Sequence, residues 1–332
     1  MSKRLRVGVT GVGSLLGQGI VRSIRFSKLN VSIVGLCVDK FSTGLYWCDE
    51  SDFVPYASDS NYVEVMGEKL KRLKIDVLLV GTDYELEKLS KSKQQIEAYS
   101  GTKVLVSDPF VVELGDDKYK TARFFADQGL PHPQSAVPEN DSELQSLKRD
   151  QGFPLIVKPR RGQRSYGVRK VFDDSELLTA LESTKSPVVQ ECVGDESAEY
   201  TASGLYFSRH CNAVVVMKRD LRDGNTYRAF TVLDDSLNSW VRKWTEIVKP
   251  YGPINFQFRV DAQGLPKVFE INSRFSGTTP LRAKAGFNEV EMCLEHLAYG
   301  REIQQPTVQE VMLLRHWEET VVDVSDNLLS AS

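Results

Sequence analysis

Residues 255–274 read NFQFRVDAQGLPKVFEINSR, two runs of alternating apolar and polar residues around a turn containing Gln263, Gly264 and Pro266. Successive side chains of a strand point to opposite faces. Ile254, Phe256, Phe258 and Val260 are therefore expected on one side of the first strand, and Asn255, Gln257, Arg259 and Asp261 on the other. The second strand assigns Phe269 and Ile271 to the apolar side and Glu270 and Asn272 to the opposite one. Gln257, Glu270 and Asn272 then offer one carboxylate and two amide oxygens on a single face. That donor set suits a hard, partly hydrated Mg2+ shared with substrate phosphates. Polar residues alternate on any half-exposed strand, so the triplet takes its meaning from the segments upstream.

The chain of 332 residues exceeds one ordinary core, and two or three packed lobes are expected. Hydrophobic content of 41%, charged content of 26% and a formal charge of -3 provide no cationic excess to neutralise a nucleic acid. MSKRLR runs straight into the apolar strand Val7 to Thr10, leaving no signal-peptide core, and no apolar run approaches transmembrane length. The expected location is cytoplasmic. Cys37, Cys48, Cys192, Cys211 and Cys293 are scattered without C-x-x-C spacing, which argues against zinc and against a disulfide framework. His132, His210, His296 and His316 form no metal or triad pattern.

Over the first ~115 residues strands alternate with helices: RVGVT, helix 15–26, VSIVGLCVD, helix 62–73, DVLLVG, helix 85–98 and KVLVS. This predicts a parallel sheet wrapped by helices. Short helices are expected from Asp108-Pro109 and from Asp116-Asp117-Lys118. Residues 131–140, with Pro131, Pro133 and Pro138, read as a linker. FPLIVKP, a loop RRGQRSYG, VRKVF, helix 173–181 and PVVQECV follow. Strands EYTASGLYF, NAVVVMK and YRAFTV, helix 234–248, the hairpin, helix 290–298 and a β-like stretch 310–324 complete the chain.

Two loops carry phosphate-binding potential. In GVTGVGSLLGQG, Gly11, Gly13 and Gly17 sit between a strand and a helix, with Asp39 at the end of the next strand. Alone this would suggest a nicotinamide-dependent oxidoreductase, but the spacing departs from G-x-G-x-x-G, and a tight turn with no nucleotide explains it equally. In KPRRGQRSYGV, residues 158–168, a lysine ends a strand and a basic, glycine-containing flap leads into another. Such a flap can clamp the outer phosphates of ATP; its alternative is an exposed basic hairpin.

Taken in order, Lys118, Lys158 with its flap, Glu191-Cys192-Val193, Glu199, Gln257, Glu270 and Asn272 resemble the ATP-grasp superfamily, most closely a single synthetase unit of the carbamoyl phosphate synthase large subunit. The resemblance implies an α/β ATP-grasp fold, with a Rossmann-like pre-ATP-grasp domain over 1–115. A lid subdomain with its lead-in helix would cover 116–195, and a large subdomain with the metal site and a C-terminal extension 196–332. It implies ATP as nucleotide, held by Lys118, Lys158, the flap residues Gly162, Ser165 and Gly167, an adenine hinge at Glu191, Cys192 and Val193, and Glu199 near the ribose. Mg2+, or alternatively Mn2+, would sit on Gln257, Glu270 and Asn272. Arg274 matches the arginine beside the transferred phosphate.

The implied chemistry is carboxylate–amine ligation through an acyl phosphate, with small-molecule carboxylate and amine partners, no nucleic acid, no membrane, and a homodimer as the candidate assembly. Alternatives are the oxidoreductase and a nucleotide-binding regulator without turnover. Lys218, Arg219, Arg222 and Arg228 form a basic cluster around Asp223-Gly224. Lys218 and Arg219 are the members expected to grip the substrate carboxylate or acyl phosphate, against a solvated hairpin paired to Asp220 and Asp223. Asp83 or Glu85 in GTDYELE is a candidate for meeting an amino group. After Arg274 the chain reads FSGTTP, lacking the second arginine expected of synthase units, which makes bicarbonate a doubtful substrate.

Overall fold

The computed structural model describes residues 4–162, 166–195, 198–323 and 325. The N-terminal part builds a five-stranded parallel sheet from β1 (Leu5–Thr10), β2 (Val31–Cys37), β3 (Glu50–Phe53), β4 (Val77–Leu79) and β5 (Lys103–Leu105), in the order β3-β2-β1-β4-β5. Its connecting helices are α1 (Leu15–Phe26), α2 (Tyr62–Arg72) and α3 (Leu86–Ser100). Parallel strands need such crossovers and are covered on both faces, and β1 and β2 are accordingly almost wholly buried. Ser14 caps α1 by accepting from the backbone N–H groups of Leu16 and Gly17 at 3.1 and 3.0 Å.

Two helices lead out of this sheet, α4 (Pro109–Asp116) and α5 (Lys118–Asp127), capped by Asp108 and Asp117. A four-stranded antiparallel sheet follows. It contains β6 (Ser135–Ala136), β7 (Leu155–Pro159), β8 (Arg169–Val171) and β9 (Pro187–Glu191) in the order β6-β9-β7-β8. It packs on α6 (Asp141–Gln151) and α7 (Asp174–Ser183) through Leu144, Leu147, Leu155, Val157 and Leu177. The proline-rich segment is thus more than a linker: Ser135 and Ala136 pair with Gln190 and Val189.

The largest sheet has six antiparallel strands, β10 (Glu199–Phe207), β11 (His210–Arg222), β12 (Asn225–Val232), β13 (Gly252–Val260), β14 (Pro266–Asn272) and β15 (Met312–Leu314), in the order β14-β13-β10-β11-β12-β15. One face carries Phe256, Phe258, Val268 and Ile271 and is closed by Trp244 of α8 (Asp235–Val248) and Phe125 of α5. α9 (Thr279–Lys284) and α10 (Glu289–Tyr299) lie on the other face, and α10 also packs on the parallel sheet, so one core joins both sheets. Among the described residues of the β-like stretch expected over 310–324, Met312–Leu314 form a strand, paired with β12.

The hairpin departs from simple alternation at one position. Asn255 faces Asn272 and Gln257 faces Glu270, but the register then shifts and Phe258 faces Val268. Phe269 is the extra residue of a β-bulge. Val268 takes the core place expected for Phe269, which is only partly buried and turns to the same side as Glu270.

Candidate active site

The first cleft lies between the four-stranded and six-stranded sheets. Lys158, at the end of β7, is buried beside Phe269 of β14: its Nζ lies 5.2 Å from the ring centroid and 3.4 Å from the Phe269 carbonyl. Burial and the nearby charge of Lys118 push the Lys158 ammonium down to about 7, against the opposing pull of Glu270 and Glu199. Lys118 sits at the start of α5, where its Nζ donates to the carbonyl of Gly162 at 2.7 Å and its N–H to the carbonyl of Arg160. Arg160 in turn pairs with the cap residue Asp117 at 2.6 Å. The flap root is thereby tied to the helix that carries the first lysine.

Glu191 and Val193 line the same cleft. The Glu191 carboxylate is engaged by Lys267 Nζ at 2.6 Å and by the Gln134 N–H at 3.1 Å, which holds the end of β9 by its side chain. Cys192, between them, is half-buried. Gly162 lines the cleft too, and Gly167, in the left-handed region at φ +74°, turns the chain behind it; Ser165 lies outside the described residues.

Across the floor runs a continuous series of polar contacts. Glu199 accepts from Arg219 at 2.5 Å and from Arg259 at 3.0 Å. Burial pushes the Glu199 carboxyl up, but the two guanidiniums outweigh it and hold it low. Arg219 Nη2 also donates to Gln257 Oε1 at 2.7 Å. Gln257 Nε2 and Asn272 Nδ2 both donate to Glu270 Oε1, at 3.1 and 3.2 Å. Arg274 Nη2 donates to Asn272 Oδ1 at 2.9 Å, and the same guanidinium grips both Asp83 oxygens at 2.7 and 2.9 Å. The series ends on the carboxyl edge of the parallel sheet, where Asp83 follows β4.

Gln257, Glu270 and Asn272, expected as metal ligands, are therefore adjacent. No cation among the described residues forms a salt bridge with Glu270, whose contacts there are two neutral amides. One carboxylate outside any such salt bridge, with two amides, fits a divalent ion completed by phosphate oxygens and water. Both amides now turn their N–H2 groups to Glu270 and their carbonyls to arginines, so holding an ion through those carbonyls requires the amides to turn over.

Other expectations are not met. Lys218 faces Tyr200 across the β10–β11 pair, and Tyr200 stacks on Phe258 at 5.1 Å, so Lys218 lies on the opposite face of the sheet from Glu199 and Arg219. Arg228 pairs with Asp220, and Arg222 lies over the Tyr227 ring, leaving Arg219 as the cluster's contribution to the cleft. Glu85 is buried under the Tyr62 hydroxyl at 2.7 Å, and burial raises its pKa, so it is no receptor for a substrate amine. Asp39 caps its own turn at the Phe41 N–H. Gly17 packs against its own loop, since a Cβ there would stand 2.3 Å from the Gly11 carbonyl. The glycine spacing thus has a packing cause without a nucleotide. Phe269, Arg259 and Asp83 as partner of Arg274 complete the site; of these, only Arg259 was signalled by strand periodicity.

A second, larger cleft of about 1060 Å³ opens beside the first, bounded by Ser14, Asp83, Asn255, Arg274 and Thr278, and shares Lys118, Gln257 and Glu270 with it. Glu270 is the carboxylate that the two adjoining clefts share.

Residues 198–320 match the family described as "ATP-grasp in the biosynthetic pathway with Ter operon". The chain carries an ATP-grasp domain. It is 24% identical over 233 residues to the carbamoyl phosphate synthase large chain of Kocuria rhizophila, covering 65% of this chain and 21% of that one. It is 28% identical over 221 residues to the D-alanine–D-alanine ligase of Laribacter hongkongensis, covering 60% of this chain and 69% of that one. The chain thus spans about a fifth of the first relative and two thirds of the second. Among ATP-grasp structures, N5-carboxyaminoimidazole synthetase from Staphylococcus aureus complexed with ADP superposes with a TM-score of 0.72 at 14% identity, over 93% of this chain and 81% of that one. L-amino acid ligase from Bacillus licheniformis gives 0.68 at 15%, over 93% and 76%. These likenesses extend the ATP-grasp fold over nearly the whole chain. No described helix is long and apolar enough to cross a membrane.

Proposed function

We propose that this protein is an ATP-dependent carboxylate–amine ligase that forms an amide bond and releases ADP and phosphate. The observation that carries the reading is the meeting of the two clefts at Glu270, with Lys158 and Phe269 on one side and Arg274 on the other. The three sheets support a division near residues 115 and 195 into an N-terminal unit and two units that clasp the nucleotide.

ATP would lie with its base against Phe269 and the main chain of Glu191 to Val193, near Glu199, and its phosphates toward Lys118 and Lys158. Gln257, Glu270 and Asn272 would hold Mg2+ or Mn2+, which supplies charge neutralisation between phosphate oxygens. In the larger cleft a substrate carboxylate attacks the γ-phosphorus and ADP leaves; an amine then adds to the acyl carbon, phosphate leaves and the nitrogen loses a proton. Arg274, fixed by Asp83 and Asn272, neutralises the charge of the transferring phosphoryl group. The chain needs no side-chain nucleophile for this chemistry.

The test is ADP release across a matrix of carboxylates and amines. We expect release that requires one member of each set and falls at least ~10³-fold in Glu270→Ala, the scale of losing transition-state charge stabilisation. Tight ATP binding with no turnover for any pair would favour the regulator reading instead.

A further inference from the structure

The segment after residue 300 has no counterpart in the roles assigned above, yet it delivers one side chain to the larger cleft. β15 lies antiparallel to β12, with Leu314 opposite Arg228. The next residue, Arg315, donates its backbone N–H to the Tyr227 carbonyl at 2.9 Å, which extends the pairing and fixes where the side chain leaves the sheet. Arg315 lines the cleft, and its Nη2 donates to the carbonyl of Gly277, three residues beyond Arg274 and within the FSGTTP stretch that lacks a second arginine.

Four arginines line this cleft, and three are matched by carboxylates: Arg161 by Asp116, Arg219 by Glu199 and Arg274 by Asp83. Arg315 is matched by none among the described residues. Its Nη1 is shut from solvent without a hydrogen-bond partner. Burial, and then the charge of Arg22 on α1, push its pKa down. A desolvated donor without an acceptor is unfavourable, and a neighbouring cation adds repulsion. An anion in the cleft relieves the repulsion, and a turn of the side chain brings the unpartnered Nη1 to it, where the planar fork of a guanidinium matches the paired oxygens of a carboxylate or a phosphate. The uncharged residues Ser14, Gly277 and Thr278 also line the cleft and bring no competing negative charge.

We propose that Arg315 recognises an anionic group, carboxylate or phosphate, carried by the substrate that occupies the larger cleft beside ATP. This inference rests on the two-substrate reading above and adds a requirement to it: one of the two ligated molecules bears an anion that is not itself activated. The C-terminal segment then acts as a specificity element, clipped to the sheet edge by β15.

Full-length protein saturated with MgADP is titrated calorimetrically with glutarate and, separately, with inorganic phosphate, as wild type, Arg315→Gln and Arg315→Lys. The expected result is binding of one probe to the wild type and a Kd at least tenfold higher in Arg315→Gln. Arg315→Lys, which keeps the charge and loses the fork, should weaken binding less, and the MgADP affinity should stay within twofold throughout. Glutarate binding marks a carboxylate-bearing substrate and phosphate binding a phosphorylated one. Equal anion affinity in wild type and Arg315→Gln, or no binding of either probe by protein that holds MgADP, overturns the proposal. If Arg315→Gln no longer holds MgADP, Arg315→Lys decides: anion affinity equal to wild type overturns it, and a weakened affinity with MgADP unchanged supports it. Anion binding through Arg315 by a protein that binds no MgADP would sink the nucleotide reading and leave the anion site standing.

Discussion

At Lys158, burial at a single residue should make the proposed nucleotide binding sensitive to pH. Its ammonium is pushed down to about 7 by burial and by Lys118. Phosphates favour the charged form and raise that value. Free protein at about pH 8 would then carry a mostly neutral Lys158 and the proposed ATP complex a charged one, so that binding is expected to take up close to one proton. Below about pH 6 both states are charged and uptake vanishes. ATP affinity should thus fall as pH rises above 7, by up to about tenfold per unit. Calorimetry at pH 8 in buffers of different ionisation enthalpy measures the uptake, and a value of zero would contradict the buried environment. The lysine itself was legible in the sequence, as the end of FPLIVKP before a basic flap. Its depressed pKa was not, because the neighbouring Lys118 comes from a helix 40 positions earlier in the numbering.

The elements that govern the site were read from period and punctuation where the pattern was strong, as in α1, α8 and both strands of the hairpin. α6 escaped because DSELQSLKRDQ has only Leu144 and Leu147 on its buried face. β3 escaped because ESDF is polar, and its pairing is supplied by β2. The β-bulge has no sequence signature, yet it moves Phe269 from the core into the cleft. Phe269→Ala should therefore raise the Kd for MgADP roughly tenfold, the effect of losing about 1.5 kcal/mol of apolar contact, with little change in thermal stability. Phe258→Ala, in the core under Trp244, should cost about 3–5 kcal/mol in urea unfolding. A reversal of these two effects would place the bulge elsewhere. Behind the hairpin, Arg282 of α9 and Glu289 of α10 are fully buried and paired at 3.2 Å, and Arg282 also donates to Asn255 at 2.6 Å. Glu289→Ala leaves a buried guanidinium without its acid and should destabilise by about 3–5 kcal/mol in urea unfolding. A loss below about 1 kcal/mol would show that the pair does not hold these helices to the sheet.

At the scale of the molecule, alternating elements predicted a parallel sheet, and chain length with the proline-rich run 131–140 predicted separate lobes. What the sequence could not show is how the lobes close on one another. Arg274 and Asp83 are 191 positions apart, and their paired contact joins the hairpin to the carboxyl edge of the parallel sheet. Gln257, Glu270 and Asn272 were legible because one hairpin carries all three. Arg315 was not, because its strand is three residues long and its partners come from β12 and the Gly277 loop. In the proposed reaction a substrate carboxylate in the larger cleft takes the γ-phosphoryl group of ATP. With the substrate pair that gives the fastest ADP release, the carboxylate is supplied labelled with 18O on both oxygens and the released phosphate is weighed by mass spectrometry. One 18O per phosphate is expected, transferred through the acyl phosphate. Phosphate carrying no label from the carboxylate, at full amide yield, would contradict it.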